Sequence, residues 1–327
     1  MSVRAARQTV PRNLCVVDLE PQAESILQEV ASGLGRAQKQ LPPKLFYDRR
    51  GAELFAAISK TQAYYPTRTE NAILSERAGE IGEAVGPASA LIEFGAGEIL
   101  KVRRLLPRLR PSTYAGLDIS RDQLLRASSD LAFDYPWLSV IAVVGDYHAP
   151  LESELVLPQH ARRVVFFPGS TIGNFEPHEA AAFLERTRAL VGAGGGALIG
   201  VDLQKPVDVL DLAYNDPQGY TAAFNLNLLT RINRELGGDF DVAAFEHVAY
   251  YNQKDARIEM HLRSLRAQRV HVAEWTYSFA AGETIHTENS YKYTAASFSA
   301  LARAAGFDHC RTWTDPKQLF AVVFVHN

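Results

Sequence analysis

Gly95-Ala96-Gly97 closes an apolar-rich run, Leu91-Ile92-Glu93-Phe94, and precedes a helix-compatible stretch, Leu100 to Leu106. Strand, glycine turn, helix is the order that opens a nucleotide site in doubly wound α/β domains. Gly95 and Gly97 permit positive φ and let a ligand approach the backbone closely. Asp118 ends the next strand-like run, Thr113 to Asp118, about 20 residues on, where an acid can bind two ribose hydroxyls. Gly145-Asp146-Tyr147 follows a third run, and there Asp146 can meet an adenine's exocyclic amine and Tyr147 its face. The same residues also read as an ordinary turn, a helix cap and a second turn. Leu100 stands where the dinucleotide fingerprint has its third glycine, which argues against NAD and leaves room for a smaller nucleoside ligand.

A second set of residues suits a substrate. Val164 to Phe167 reads as a strand, and Pro168-Gly169-Ser170-Thr171-Ile172-Gly173-Asn174-Phe175 as its exit loop. Ligands of open α/β sheets bind beyond the carboxyl ends of the strands, so Ser170, Thr171 and Asn174 stand where substrate belongs. Such residues also cap helices. Tyr47, Tyr64 and Tyr65 fit either half-buried core or ligand contact. Met260 is the sole methionine besides the initiator, a usual gap-filler in cores. Thr287-Glu288-Asn289-Ser290-Tyr291-Lys292 is an unusually polar run, read from its residues alone as a solvated loop with an N-cap.

The elements that must position these residues alternate. Helical spacing runs from Pro21 to Arg36 and over a short stretch, Ala52 to Ser59. Pro66 disfavours a helical Tyr65, so a helix capped by Thr69 is expected through Leu74 to Ile81. Strands are expected near 90–95, 113–118, 139–144, 163–168 and 196–201, with helices such as Arg121 to Phe133 and Pro177 to Leu190 between them. That alternation implies a parallel sheet covered on both faces. After Asp202 come two helices, Lys205 to Tyr214 and Thr221 to Leu236, and then short strands between Val248 and Phe279. A helix over Ala295 to Ala305 precedes two closely spaced strands, Cys310 to Thr314 and Leu319 to Val325, which must pair antiparallel. Five parallel strands finished by such a pair resemble the S-adenosylmethionine methyltransferase fold.

Composition narrows the classes further. The 327 residues are 47% hydrophobic with a net charge of −3, enough for a large core and no match for a phosphate backbone. Nucleic acid is therefore not an expected partner. No run is long and apolar enough to span a membrane, and no signal peptide is expected. Two cysteines build neither a disulfide framework nor a zinc cluster, which fits a reducing cytoplasm. No metal is expected.

Eight segments carry a more specific resemblance. In order they are Tyr47-Asp48, Tyr64 to Arg68, Gly95 to Gly97, Asp118-Ile119-Ser120, Gly169 to Phe175, Ala223 to Asn227, Arg257 to Met260, and Thr287 to Lys292. Together they resemble the L-histidine Nα-methyltransferases of ergothioneine biosynthesis, from about residue 40 to the C-terminus. The sequence departs from that pattern at Glu98-Ile99, where the family usually has small hydroxyl residues. The resemblance implies three methyl transfers to the α-amine of L-histidine, giving hercynine. It implies that Gly95, Gly97, Lys101, Asp118, Asp146 and Tyr147 hold S-adenosyl-L-methionine, leaving S-adenosyl-L-homocysteine as product. Asn174 and Tyr64 would hold the amino acid's carboxylate and amine, with Tyr47 beside them. Glu288 and Ser290 would bind the imidazole, and Met260 would line that pocket. It also implies a Rossmann-like class I methyltransferase domain over residues 69–204 and 293–327. A second, α+β substrate-binding domain would take 16–68 and 205–292, with 1–15 a loose arm and the chain a monomer. A relative acting on a tryptophan derivative is the nearest alternative; Glu288 speaks against it, because an indole lacks a second ring nitrogen.

Overall fold

The computed structural model describes residues 11–19, 23–86, 89–146, 157 and 162–327. In chain order its elements begin with β1 (Leu14–Asp18), α1 (Ala23–Leu34), β2 (Lys39–Gln40), α2 (Arg49–Ile58), α3 (Tyr65–Glu76) and α4 (Ala78–Val85). The alternating part follows: β3 (Ala90–Phe94), α5 (Leu106–Leu109), β4 (Thr113–Asp118), α6 (Arg121–Asp134), β5 (Ser139–Val144), β6 (Arg163–Phe167), α7 (Pro177–Val191) and β7 (Gly196–Asp202). Then come α8 (Val207–Tyr214), α9 (Tyr220–Leu236), β8 (Phe245–Asn252), β9 (Arg257–Ser264), β10 (Gln268–Val272), β11 (Trp275–Phe279) and β12 (Thr284–Tyr291). The chain closes with α10 (Ala295–Ala304), β13 (His309–Thr314) and β14 (Phe320–His326).

The large sheet has the order β1-β5-β4-β3-β6-β7-β14-β13. Its strands pair in parallel from β1 through β7, whereas β14 runs antiparallel to both β7 and β13. This is the α/β methyltransferase architecture expected, with one strand more. Leu14–Asp18 pairs along β5, so residues 14–18 belong to the large sheet and not to a loose arm or a second domain. Residues 1–10 of the expected arm lie outside the described residues. Every residue of β3 and β7 is buried, as strands covered on both faces must be. The period of two sorts their side chains. Ile92, Phe94, Val165 and Ile199 pack under α7 and α10, while Leu91, Val164 and Leu198 pack under α3 to α6. Strand order reverses between β3 and β6, so the crevice at their carboxyl ends is where a ligand belongs.

A third cluster, separate from those two, joins α1, α2, α8 and α9 to β8–β12 around Phe46, Leu228, Met260 and Ile285. It carries a small sheet, β2-β12-β9-β8.

Three local expectations give way. Helix α3 starts at Tyr65, with Pro66 in its first turn, where the missing N–H costs nothing. Thr69 is therefore inside the helix, and its hydroxyl donates to the Tyr65 carbonyl at 2.9 Å. Thr287 to Tyr291 is not a solvated loop but part of β12 in the small sheet, with Thr287, Asn289, Ser290 and Tyr291 buried and Glu288 partly so. Leu100 to Leu106 forms only a 3-10 turn, Val102–Arg104, and the start of the four-residue α5.

Candidate active site

The turn after β3 holds Gly95 at φ +66° and Gly97 at φ +51°. At the end of β4, Asp118 Oδ2 accepts from Gly97 N at 2.9 Å and Oδ1 from Ser120 N at 2.8 Å. Each carboxylate oxygen keeps lone-pair capacity for a further donor, such as one hydroxyl of a diol. Ile99, fully buried, sits at φ +53°, a strained conformation for a β-branched residue. Asp146 follows β5, and the Lys44 ammonium lies 3.7 Å from its carboxylate. Tyr147 lies outside the described residues. The glycine turn and Asp118 together fit the ribose end of a nucleoside cofactor.

Lys101 does not reach into the crevice alone. Its Nζ donates to Glu70 Oε2 at 2.6 Å, and the same fully buried carboxylate accepts from Gly169 N at 2.9 and 3.0 Å. Glu70 thus ties the turn after β3 to the loop after β6. That loop continues through Ser170, at φ +58°, into a 3-10 turn, Thr171–Asn174. The Asn174 amide has no protein partner among the described residues. The turn lies against β12: a Cβ on Gly173 would come within 2.8 Å of the Tyr291 carbonyl.

Strand β12 carries the next set. Its pairing with β9 slips between His286 and Glu288, so that His286 faces His261 while Glu288 faces Met260. Thr287 is the extra residue. Its Oγ1 lies 2.8 Å from Asn225 Oδ1 on α9 and 3.0 Å from the Met260 carbonyl. A bulge re-aims the side chains that follow it. Without it Glu288 would share a face with His286; with it, Glu288 and Ser290 turn to the apolar side of the small sheet, beside Met260. No protein donor hydrogen-bonds the Glu288 carboxylate among the described residues. Withheld solvent pushes its pKa up to about 7, with Lys292 pulling the other way.

Ser290 is held from two sides, by Tyr214 Oη at 2.8 Å and Lys292 Nζ at 2.7 Å. Lys292 in turn pairs with Asp202, at the end of β7, at 2.8 Å. Asp202 also takes Lys205 Nζ at 2.7 Å and Tyr65 Oη at 2.7 and 2.8 Å. Burial raises the Asp202 carboxyl, but Lys292 and Lys205 more than reverse it. Tyr64 stands just before α3 as its N-cap, its ring 6.4 Å from that of Tyr214 and 6.1 Å from that of Phe55. Burial, Tyr214 and then Glu288 push its phenol well up, so Tyr64 stays a neutral hydroxyl. Tyr47 is 37% exposed, with its ring edge-on to Phe55 and Phe224.

One rim therefore unites Gly97, Asp118, Lys101 and the 169–174 loop, and another unites Tyr64, Met260, Glu288 and Ser290. Asp202, Lys205, Lys292, Tyr214 and Glu70 are the residues that sequence reasoning assigned no role. Asp202 could have been found by its place at the carboxyl end of a buried strand.

A Rossmann-like sheet with a ligand crevice at its switch point, here finished by an antiparallel pair, defines a class I methyltransferase. The chain belongs to the histidine-specific, S-adenosylmethionine-dependent methyltransferase family, whose pattern matches residues 26–327. It is 42% identical over 300 residues to the histidine N-alpha-methyltransferase of Mycolicibacterium smegmatis, covering 90% of this chain and 92% of that one. It is 41% identical over 297 residues to the protein of the same name from Mycobacterium tuberculosis, covering 89% and 91%. A more distant relative, the L-tryptophan methyltransferase of Psilocybe serbica, is 27% identical over 322 residues, with 87% of each chain covered. Among the described residues no helix is long and apolar enough to cross a membrane.

Proposed function

We propose that this enzyme transfers three methyl groups in turn to the α-amine of L-histidine, giving hercynine for ergothioneine biosynthesis. The observation that carries the reading is Glu288, a carboxylate turned inward beside Met260 and Ser290 with no protein donor on it among the described residues. A buried acceptor left open is costly unless a ligand supplies the donor. An imidazole N–H does.

Gly95, Gly97, Lys101, Asp118 and Asp146, with Tyr147, would hold the cofactor. When bound, S-adenosylmethionine supplies the methyl group from a cationic sulfonium. Asn174 and Tyr64 would hold the α-amine and carboxylate, with Tyr47 beside them. Asn174 can donate to a carboxylate and accept from an amine through one side chain. The neutral phenol of Tyr64 can do either as the amine loses its hydrogens. Aligning the amine is the main task of these residues, and positioning of this kind supplies roughly 7–11 kcal/mol. The amine must be unprotonated to attack, and a nearby positive charge favours that form. The aromatic rings of Tyr47 and Tyr64 tolerate the quaternary cation that the third step leaves. All these residues come from one chain, so a monomer suffices, and the free Cys15 and Cys310 suit a reducing cytoplasm.

Incubation with cofactor and each amino acid in turn, read by mass spectrometry, tests the reading. Histidine should gain one, two and three methyl groups; gains on another amino acid, with histidine untouched, would overturn it.

A further inference from the structure

We propose that Lys292 is a positioning residue that makes Ser290 a hydrogen-bond donor, so that the pocket takes an imidazole only as the neutral ring. One ring nitrogen accepts from Ser290 and the other donates its N–H to Glu288. The inference rests on the histidine reading above and deepens it.

The Lys292 side chain is fully buried, and its ammonium has three N–H groups. Three oxygens surround it: Asp202 Oδ2 at 2.8 Å, Ser290 Oγ at 2.7 Å and Tyr214 Oη at 3.1 Å. Asp202, itself fixed by Lys205 and Tyr65, holds the ammonium in place. Tyr214 Oη and Ser290 Oγ are 2.8 Å apart. A phenol is the better donor and an aliphatic hydroxyl the better acceptor, so Tyr214 donates across that contact. Ser290 Oγ then accepts from both Lys292 and Tyr214. Its lone pairs are filled, and its own proton is the only one of the cluster left to give.

Glu288 offers the opposite polarity. A neutral imidazole presents one acceptor and one donor and meets both groups. An imidazolium presents two donors and fails at Ser290. A pyrrole or indole ring has an N–H but no acceptor nitrogen, and leaves the Ser290 proton facing carbon. Lys292 sets this preference without touching the substrate.

The test compares L-histidine with the two pyrrolylalanine isomers, which keep the N–H at either ring position and replace the acceptor nitrogen by C–H. The full chain should prefer histidine by about 10³-fold or more in kcat/KM, as expected of a site built to hydrogen-bond the missing group. Ser290→Ala should lower histidine turnover by about 10²-fold and leave the pyrrolylalanines within about threefold, since they never used that proton. Lys292→Met frees a lone pair on Ser290, and the histidine-to-pyrrole ratio should fall at least about tenfold. Removing a buried charge can unfold a chain, so Ser290→Ala tests the Ser290 donor with the ion pair intact, and a folded Lys292→Met that kept the wild-type ratio would overturn the role of Lys292. Equal losses on histidine and pyrrolylalanine in Ser290→Ala, or no wild-type preference between them, would overturn the inference and leave the histidine reading standing. A wild-type enzyme inert toward histidine would overturn both.

Discussion

The two faces of the small sheet use the same strands and similar residue types, yet they solve the burial of carboxylates in opposite ways. On the outer face Glu259 takes hydrogen bonds from Asn252, Arg257, Tyr250 and His261, all between 2.8 and 3.1 Å. Burial raises its pKa, but those donors reverse the effect and bring it to about 2. The neighbouring His261 and His286 stack at 4.8 Å. Glu176, at the start of α7, closes this network by accepting from Asn289 at 2.7 Å and Tyr291 at 2.7 Å. On the inner face no described residue donates to the Glu288 carboxylate, and burial lifts it to about 7. The fold satisfies the first carboxylate itself and leaves the second able to take a donor from elsewhere. Three side chains that could hold a metal ion, Glu259, His261 and His286, converge on the outer face. Arg257 already occupies that carboxylate at 2.8 Å, which disfavours a cation beside it, while His261 Nδ1 is buried without a partner among the described residues.

The largest effect should come from the open face. Glu288→Ala should lower kcat/KM for histidine by roughly 10²–10³-fold, the cost of losing a charged hydrogen bond together with the specificity it enforces. Steady-state kinetics measures it, and a loss below threefold would break the contrast. Asn174→Ala should follow, with losses on histidine and on its mono- and dimethyl forms alike. Near-normal turnover on all three would leave Asn174 a loop-shaping residue.

Glu259→Gln should show the converse. It should cost about 1–3 kcal/mol of folding stability, as expected for a charged partner removed from a buried network. The KM for histidine should stay within about twofold, because the residue faces away from the pocket. Denaturant unfolding read beside kinetics separates the two. Asp118→Ala should weaken cofactor binding by about 1.5–3 kcal/mol, measured by calorimetry on the folded variant.

The pH dependence of stability sharpens the contrast. Glu259 is depressed from 4.5 to about 2, so its contribution is present above pH 4.5 and drains away as pH falls toward 2. Glu288 is raised from 4.5 to about 7, so the fold prefers its protonated form and loses stability as pH rises from 4.5 to 7. Thermal melts of Glu288→Gln should therefore gain on the wild type across that interval and run parallel to it above. A flat difference would mean that Glu288 is solvated. The smallest effect belongs to Ile99→Gly: relief of positive φ and loss of a buried side chain oppose each other, each about 1–3 kcal/mol, leaving a small net change in the melting temperature.

Most of the large sheet was legible because its inner strands announce themselves: Ala90–Phe94 and Thr113–Asp118 are short apolar-rich runs stopped by glycine or acid. The turn after β3 and its link to Asp118 followed, since two glycines and an acid at a fixed offset mark them in the sequence. The edge strand Leu14–Asp18 was hidden because nothing local marks a strand whose partner, β5, lies more than a hundred residues on. The residues around Glu288 were singled out only through the family resemblance. Thr284–Tyr291 lacks clean alternation because the bulge at Thr287 shifts its period, and that bulge is locked by Asn225 from another element. Lys292 and Asp202 find each other across 90 residues of chain, a pairing that no spacing rule encodes.

The most direct test of the account is the ratio of kcat/KM for histidine to that for tryptophan, measured in the wild type, in Glu288→Ala and in Glu288→Ala with Met260→Val. The open carboxylate predicts a high wild-type ratio that falls at least about a hundredfold in the first variant and further in the second, as the pocket loses its acceptor and then widens. A ratio unchanged across the three proteins would contradict it, and the side-chain pocket would have to lie elsewhere.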